Sequence, residues 1–205
     1  MAESQPKFGQ DCILFSRLSI FTKGLMMFRR VFFSLTLIAA LAVPSFGQAF
    51  KADKEKSKID FVGKKSDGNH TGGFKDFKSE LKIDHESHDK SSMMVEIMTD
   101  SLWSDDEKLT AHLKNPDFFD VKKYPKIKFE STKIEVNDNK ATITGKMTML
   151  DKTVEVKIPT TNEMSDTSLK VVAEFKIDRT KWGMNYGKGK VDDEVELKVV
   201  LFFPR

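Results

Sequence analysis

A period of two in apolar and polar residues recurs from residue 58 to the end of the chain. Successive side chains of a β-strand point to opposite faces, so this period predicts strands with one apolar and one polar face. Eight such strands are predicted. Their apolar faces consist, in chain order, of Ile59, Phe61 and Gly63; Phe77, Leu81 and Ile83; Val95 and Ile97; Ile127 and Phe129; Ala141, Ile143, Gly145, Met147 and Met149; Val154, Val156 and Ile158; Leu169, Val171, Ala173, Phe175 and Ile177; and Val195, Leu197, Val199, Leu201 and Phe203.

The connections between these strands are short and polar, and no crossover helix separates them. This arrangement predicts an antiparallel sheet with one solvent-facing side. Eight such strands can close into a barrel, which removes the exposed strand edges. Two sheets packed as a sandwich give the same pattern. The strands therefore indicate an all-β fold and leave both architectures open.

One segment between the third and fourth predicted strands has a helical pattern instead. Ser104 is a suitable N-cap, and the three acidic residues at 105–107 suit the first turn of a helix. Leu109 and Leu113 are four residues apart and share one face. Pro116 ends the pattern because the residue before a proline disfavours the helical conformation. The segment predicts one short helix.

The first 47 residues differ from the rest of the chain and predict a secretory signal region. From Met27, two arginines precede an apolar or small run of 13 residues ending at Val43, and small residues follow up to Gly47. This order is typical of a cleaved signal peptide. A membrane-spanning helix needs about 20 residues, so an uncleaved anchor is the less favoured alternative. We expect translation to start at Met27, cleavage near Gly47, and a periplasmic or secreted domain at residues 48–205 with no stable membrane anchor.

Composition disfavours several classes of function. Cys12 is the single cysteine and lies in the signal region, so the mature chain has no disulfide framework, thiolate metal site or cysteine nucleophile. Basic and acidic residues are interspersed, the net charge is +3, and no block of five like charges indicates a nucleic-acid partner. Local motifs of common hydrolases and nucleotide-binding proteins are absent. We therefore expect no cofactor and favour a binding protein over an enzyme.

The histidines are the remaining candidates for metal ligands. His85 and His88 are three residues apart among acidic residues, a spacing that suits a metal site on a helix. Their neighbours instead predict a polar surface turn, where the two side chains need not converge, so no metal site is expected. His70 lies in a predicted loop with three glycines, and His112 lies on the predicted helix.

The predicted inner face of the sheet mixes large and small residues, from Phe61 and Phe129 to Gly63 and Ala173. An eight-stranded barrel either fills its interior with side chains or holds one small ligand. The pattern leaves a packed core and a cavity as equal alternatives.

The segment from residue 177 to 189 predicts a glycine-rich loop that carries Arg179, Trp182 and Tyr186. A loop with aromatic rings and a cation can close a barrel mouth or hold a polar or anionic headgroup. Alternatively, the loop is structural and Arg179 pairs with an acid such as Asp192 or Asp193.

Four stretches resemble the YceI-like family of secreted bacterial proteins. They are GGFKDFKSEL at 72–81, HLKNPDFFDVKKYPKIKFEST at 112–132, ITGKMTMLDKTVEV at 143–156 and IDRTKWGMNYG at 177–187. The resemblance covers residues 51–203. It implies an extended, antiparallel, lipocalin-like barrel with an apolar tunnel, and it implies binding of long amphiphiles, above all polyisoprenoids.

The resemblance carries over to individual residues only in two of these stretches. The matching positions are Phe118, Phe119, Tyr124, Pro125 and Phe129, followed by Arg179, Trp182, Gly183 and Tyr186. Two departures concern the headgroup. Many members have a histidine after the first strand where this chain has Lys64 and Lys65, and the usual His-Gly after the hairpin strand is replaced by Leu150 and Asp151.

These observations together predict an eight-stranded barrel with one short helix between strands three and four, which binds or carries a long-chain lipid such as a polyisoprenoid. The expected lining of its cavity is Phe61, Phe77, Val95, Ile97, Leu109, Leu113, Phe118, Phe119, Ile127, Phe129, Ile143, Met147, Val156, Phe175 and Trp182. The headgroup candidates are Lys64, Lys65, His70, Arg179 and Tyr186. The alternative is a structural or stress-related interaction protein with a packed barrel and no physiological ligand.

Overall fold

The structure is a computed structural model that describes residues 48–84 and 90–205. The predicted signal region and the turn with His85 and His88 lie outside these residues. The described elements are β1 (Gln48–Lys51), β2 (Lys58–Lys65), β3 (Gly68–Phe74), β4 (Phe77–Ile83), β5 (Ser92–Met98), β6 (Leu102–Ser104), α1 (Glu107–Leu113), β7 (Lys126–Asn137), β8 (Lys140–Met149), β9 (Lys152–Met164), β10 (Ser168–Asp178) and β11 (Val191–Pro204). Two 3-10 helices, Thr99–Ser101 and Arg179–Trp182, precede β6 and follow β10.

All described strands belong to one antiparallel sheet with the order β1-β4-β5-β7-β8-β9-β10-β11-β2-β3-β6. The sandwich alternative is therefore wrong. The chain leaves β5 through the 3-10 helix Thr99–Ser101 and enters β6, which pairs with β3 near the far end of the order. Because β5 and β6 are joined in this way, the sheet curls back on itself into a barrel-like fold.

The eight predicted strands correspond to β2, β4, β5 and β7 to β11, and their predicted apolar faces are the faces that the structure buries or half-buries. The predicted number of strands is wrong, because the structure has eleven among its described residues. The additional strands are β1, β3 and β6. β1 and β6 have four and three residues, too few to show an alternation.

Strand β3 was predicted as a loop because glycine is depleted in strands. The structure shows that close packing requires glycine at two of these positions. A Cβ atom on Gly72 would lie 2.5 Å from the Phe61 ring, and one on Gly73 would lie 2.5 Å from the carbonyl oxygen of Ile59. Strand β3 thus approaches β2 too closely for a side chain at these positions.

Helix α1 lies within the predicted helical segment, but it is shorter and begins later. Its N-cap is Asp106 and not Ser104, because the Asp106 carboxylate accepts a hydrogen bond from the backbone N–H of Leu109 at 2.7 Å. Ser104 belongs to β6, so α1 lies between β6 and β7, within the chain segment that joins the predicted third and fourth strands, β5 and β7. Leu113 is buried and Leu109 packs against the core, as predicted for one shared face.

No helix within residues 48–84 and 90–205 has the length and apolar character that crossing a bilayer requires.

Candidate functional site

The upper part of the barrel interior contains a cavity of about 210 Å³, called here the upper chamber. Strands β2, β3, β5, β7, β8, β10 and β11 contribute to its walls. Helix α1 and the segment 179–190 between β10 and β11, called here the covering loop, cover it. Its lining consists of Ile59, Phe61, Gly63, Lys64, Lys65, His70, Phe74, Ile97, Leu109, Leu113, Phe118, Phe119, Ile127, Met147, Met149, Ile177, Arg179, Met184, Val191, Val195 and Leu197.

A second cavity of about 80 Å³, the lower chamber, continues the first along the barrel. Its lining consists of Ile59, Met93, Val95, Ile97, Ile127, Phe129, Ile143, Met147, Ile158, Thr160, Val171, Ala173, Phe175, Leu197, Val199 and Leu201. Five residues line both chambers, namely Ile59, Ile97, Ile127, Met147 and Leu197. These five side chains lie where the two chambers adjoin and are called here the waist, and the two chambers together are called the tunnel.

Strand β2 gives the direction of this tunnel, because its inward residues pass from Ile59 at the waist through Phe61 and Gly63 to Lys65 at the hairpin end. The lower chamber has Thr160 as its single polar lining residue. Its hydroxyl donates to the carbonyl oxygen of Ala141 at 3.2 Å. The tunnel is therefore apolar along its length and polar at the hairpin end.

At this polar end, Lys64 is bound to a partner on the outer face of the sheet. Lys64 follows the inward Gly63, and its Nζ donates to Glu196 at 2.6 Å. The hydrogen bond and the attraction of this carboxylate raise the pKa of Lys64 and lower the pKa of Glu196. Because its charge is compensated on the outer face, Lys64 is a poor candidate for a headgroup contact.

Lys65 and His70 also line the upper chamber. His70 is paired directly with Gly63 across β2 and β3, which places both residues on the inward face. The His70 Nδ1 lies 2.9 Å from Asp105, and Lys65 lies 3.4 Å from the exposed Asp67. The His70–Asp105 pair holds the imidazole ring at the end of the upper chamber.

Asp105 is fixed by several donors. Its carboxylate accepts hydrogen bonds from the backbone N–H and the hydroxyl of Thr71, at 2.8 and 3.2 Å. The Thr71 N–H, followed by His70, lowers the pKa of Asp105. The site therefore contains a carboxylate that stays ionised near neutral pH and orients one imidazole.

Arg179, another of the headgroup candidates, makes its polar contacts within the protein. Its side chain is only 4% exposed. The guanidinium donates to the carbonyl oxygens of Met184, Asp192 and Val191 at 2.6, 2.9 and 3.2 Å, and it lies 3.5 Å from the Asp193 carboxylate. These contacts match the structural alternative, in which Arg179 holds the loop that covers the upper chamber.

The covering loop also contacts α1 and the segment after it through aromatic rings. The Tyr186 ring lies 4.8 Å from His112 and 5.3 Å from Phe118, between ring centres, and His112 and Phe118 are 5.1 Å apart. His112 in addition lies 3.1 Å from Asp117. This aromatic cluster joins the loop to the segment after α1 above the chamber.

Four predicted site residues line neither chamber. Trp182 is 1% exposed and donates its indole N–H to the carbonyl oxygen of Met147, so it packs behind the wall. Phe77 is buried in the core outside both chambers, and Val156 packs against that core. Tyr186 faces outward and is 47% exposed. The remaining predicted lining residues and Lys64, Lys65, His70 and Arg179 border the chambers.

Several lining residues were not predicted as site residues. Most of them, such as Ile59, Gly63, Ala173 and Leu197, belong to the predicted inner faces, and alternation could have included them. Met184 lies in the loop and had no periodic signal. Across the described residues, no group of three histidine, cysteine or acidic side chains is arranged to hold a metal ion.

Comparison with known proteins identifies the family and the fold. The model of the YceI-like domain matches residues 50–203. The chain belongs to the YceI-like family. A YceI-like relative from Pseudomonas putida, named a UPF0312 protein, is 37% identical over 131 residues, which is 60% of this chain and 67% of the relative. A UPF0312 protein from Pseudomonas aeruginosa is 30% identical over 132 residues, 62% of this chain and 69% of its own.

Solved structures share this YceI-like fold. BcnA of Burkholderia cenocepacia is 28% identical, with a TM-score of 0.69 over 74% of this chain and 98% of its own. A polyisoprenoid-binding domain from Saccharophagus degradans, implicated in plant cell wall breakdown, is 11% identical, with a TM-score of 0.60 over 76% of this chain and 97% of its own. At this low identity the second likeness concerns the fold.

Proposed function

We propose that the protein binds a long-chain lipid, such as a polyisoprenoid, inside the barrel. The observation that carries this proposal is the tunnel of two chambers in line, apolar except at one end. A narrow apolar tube accommodates a chain better than a compact ring system. The Saccharophagus relative of the same fold, described as a polyisoprenoid-binding domain, supports this ligand class.

Removal of the apolar chain from water supplies the affinity, at roughly 0.8 kcal/mol per methylene group. The tail lies across the waist at Ile59 and Met147 and reaches the lower chamber. The headgroup lies at the hairpin end beside Lys65 and His70, because these are the polar side chains on the inward face there. Binding and sequestration, rather than catalysis, is the activity that we assign.

The proposal includes a location outside the cytoplasm. The signal region predicted before Gly47 supports export and cleavage, and the domain then acts in the periplasm or outside the cell. Sequencing the N-terminus of the protein recovered from the host tests this. A terminus near Gln48 agrees with export, whereas a mature chain that begins well before it contradicts cleavage.

Gly63 offers a direct test of the tunnel. A Cβ atom at Gly63 meets no atom within 4 Å, and the residue lines the upper chamber. The Gly63→Phe variant should therefore fold and place its ring inside the tunnel. We expect native mass spectrometry of protein from its host to show a lipid adduct on the wild type, and at least a tenfold lower occupancy on this variant.

Val62→Phe is the matched control, because Val62 precedes Gly63 and points to the outer face of the same strand. This variant should retain the lipid. Equal occupancy in the two variants would contradict binding in the upper chamber. Repeated absence of any adduct on the wild type would support the alternative of an interaction protein without a lipid ligand.

A further inference from the structure

Exposed lysines lie in the covering loop and beside it, at the polar end of the tunnel. They lie in three segments, 120–126, 150–152 and 179–191, and we call them the lysine rim. Its members are Lys122, Lys123, Lys152, Lys181, Lys188 and Lys190, all exposed. Lys126 in the first segment is not counted because it pairs with Glu96 at 3.0 Å. The nearby acidic residues are Asp120 and Asp151 within the segments, and the exposed Asp192 and Asp193 directly after the third segment.

Two contacts and one electrostatic attraction place these segments beside one another and beside the β2–β3 hairpin. The backbone N–H of Ser66, in the β2–β3 hairpin, donates to the carbonyl oxygen of Lys190 at 3.4 Å. A Cβ atom on Gly183 would lie 2.7 Å from the Nζ of Lys152, so the loop lies beside the β8–β9 turn. Lys123 is near Asp151 in that same turn. The rim thus runs from the hairpin across the loop to the turn after α1.

The rim differs from the wall of the barrel in its ion pairing. On the wall, lysines such as Lys64, Lys170 and Lys198 pair with glutamates. Within the described residues, none of the six rim lysines has a carboxylate at ion-pair distance. Acidic residues near the same end, such as Asp105 and Asp117, lie against His70 and His112. The rim therefore presents unpaired positive charge.

Tyr186 is exposed between these lysines and lies at the top of the aromatic cluster. It is 47% exposed, although its ring contacts His112 and Phe118. Tyrosine is enriched at membrane–water interfaces, where its ring and hydroxyl suit the headgroup level. Lysines near an anionic lipid surface are attracted to it.

We propose that the lysine rim docks the protein on a bilayer surface that carries anionic phospholipid headgroups. Charge complementarity favours this partner, and the exposed Tyr186 belongs to the same segment as Lys181, Lys188 and Lys190. The orientation turns the covering loop, and with it the polar end of the tunnel, toward the bilayer. This inference goes beyond lipid binding in the barrel, because docking requires no occupied tunnel.

Sedimentation with vesicles tests the docking directly. Purified protein is mixed with vesicles of phosphatidylcholine alone or with phosphatidylglycerol added. We expect binding to the anionic vesicles, weaker binding in high salt because salt screens exposed charges, and little binding to phosphatidylcholine. Each lysine near such a surface is worth about a fivefold change in partitioning. The triple variant Lys152→Gln, Lys181→Gln, Lys188→Gln should bind about 100-fold more weakly.

The control changes three lysines away from the rim, by Lys128→Gln, Lys140→Gln and Lys157→Gln. These side chains are also exposed and belong to β7, β8 and β9. The control should bind the anionic vesicles like the wild type, and the rim variant should keep its lipid occupancy in native mass spectrometry. Binding that ignores phosphatidylglycerol, or an equal loss in both triple variants, would overturn the docking while leaving the tunnel proposal intact.

Discussion

Arg179 lies in a loop with the composition of a binding site, but its hydrogen bonds stabilise the fold of that loop. It is the one charged residue that is buried among those described, and its donors point to carbonyl oxygens in the loop and at the start of β11. A guanidinium suits this task because its donors are arranged in a rigid planar fork. The cation therefore holds the loop that covers the chamber.

We predict that Arg179→Ala destabilises the protein by about 2–3 kcal/mol, because it leaves buried carbonyl oxygens without donors. Urea denaturation measures this change, and limited proteolysis should show earlier cleavage between Gly183 and Lys190. Lys181→Ala, an exposed neighbour, is the control and should leave stability within about 0.5 kcal/mol. A stable Arg179→Ala variant that merely loses lipid would argue for the headgroup role instead.

At the scale of the element, β3 is a strand that local propensity disfavours. Its glycines permit close contact with β2 and β6, where Gly72 and Gly73 pair with Ser104 and Trp103. Pairing energy from two neighbouring strands outweighs the low strand propensity of glycine. The strand is needed to close the barrel, since β6 reaches the sheet through it.

We predict that Gly73→Ala costs about 2 kcal/mol of stability, because the added methyl group meets the carbonyl oxygen of Ile59. Gly63→Ala makes the same chemical change on the adjacent strand in open space. It should leave stability unchanged or raise it by up to about 1 kcal/mol. Thermal or urea unfolding of the two variants compares them, and a tolerated Gly73→Ala would refute the close approach of β3.

At the scale of the whole molecule, the tunnel depends on strands distant in the chain. Its waist combines Ile59 of β2, Ile97 of β5, Ile127 of β7, Met147 of β8 and Leu197 of β11. The lower chamber beyond this waist is small, at about 80 Å³, so it limits how far an apolar chain can enter. The length of the tunnel should therefore select the length of the bound chain.

We predict that Ala173→Leu, which fills part of the lower chamber, shifts binding toward shorter chains. Excluding two methylene groups costs roughly 1.6 kcal/mol, which is about a 15-fold loss in affinity for the longest ligand. Native mass spectrometry with lipids of graded length measures the shift. Val172→Leu, on the opposite face of β10, is the control, and an unchanged length preference in Ala173→Leu would place the chain end elsewhere.

The sequence predicts those features of the fold that depend on a residue and its near neighbours in the chain. Alternation identified the inner faces of eight strands because the pleat forces side chains at i and i+2 to the same side. It missed β3, since glycines carry no side chain to alternate, and it named Trp182 as lining although its indole packs behind the wall. Whether a buried side chain borders the cavity or packs behind the lining residues depends on the neighbouring strands. The periodicity of the sequence carries no information about these neighbours.

The sequence by itself determined an all-β chain with one short helix, its apolar faces and its likeness to the YceI-like family. Only the tertiary structure decided between a barrel and a sandwich, and between a packed core and a tunnel. Both depend on which side chains from distant strands face each other: Gly63 opposes no side chain within reach and leaves space, whereas Phe203 at the other end of the inner face is fully buried. The partners of Arg179 were decided in the same way, because three carbonyl oxygens meet only after the loop folds over the chamber.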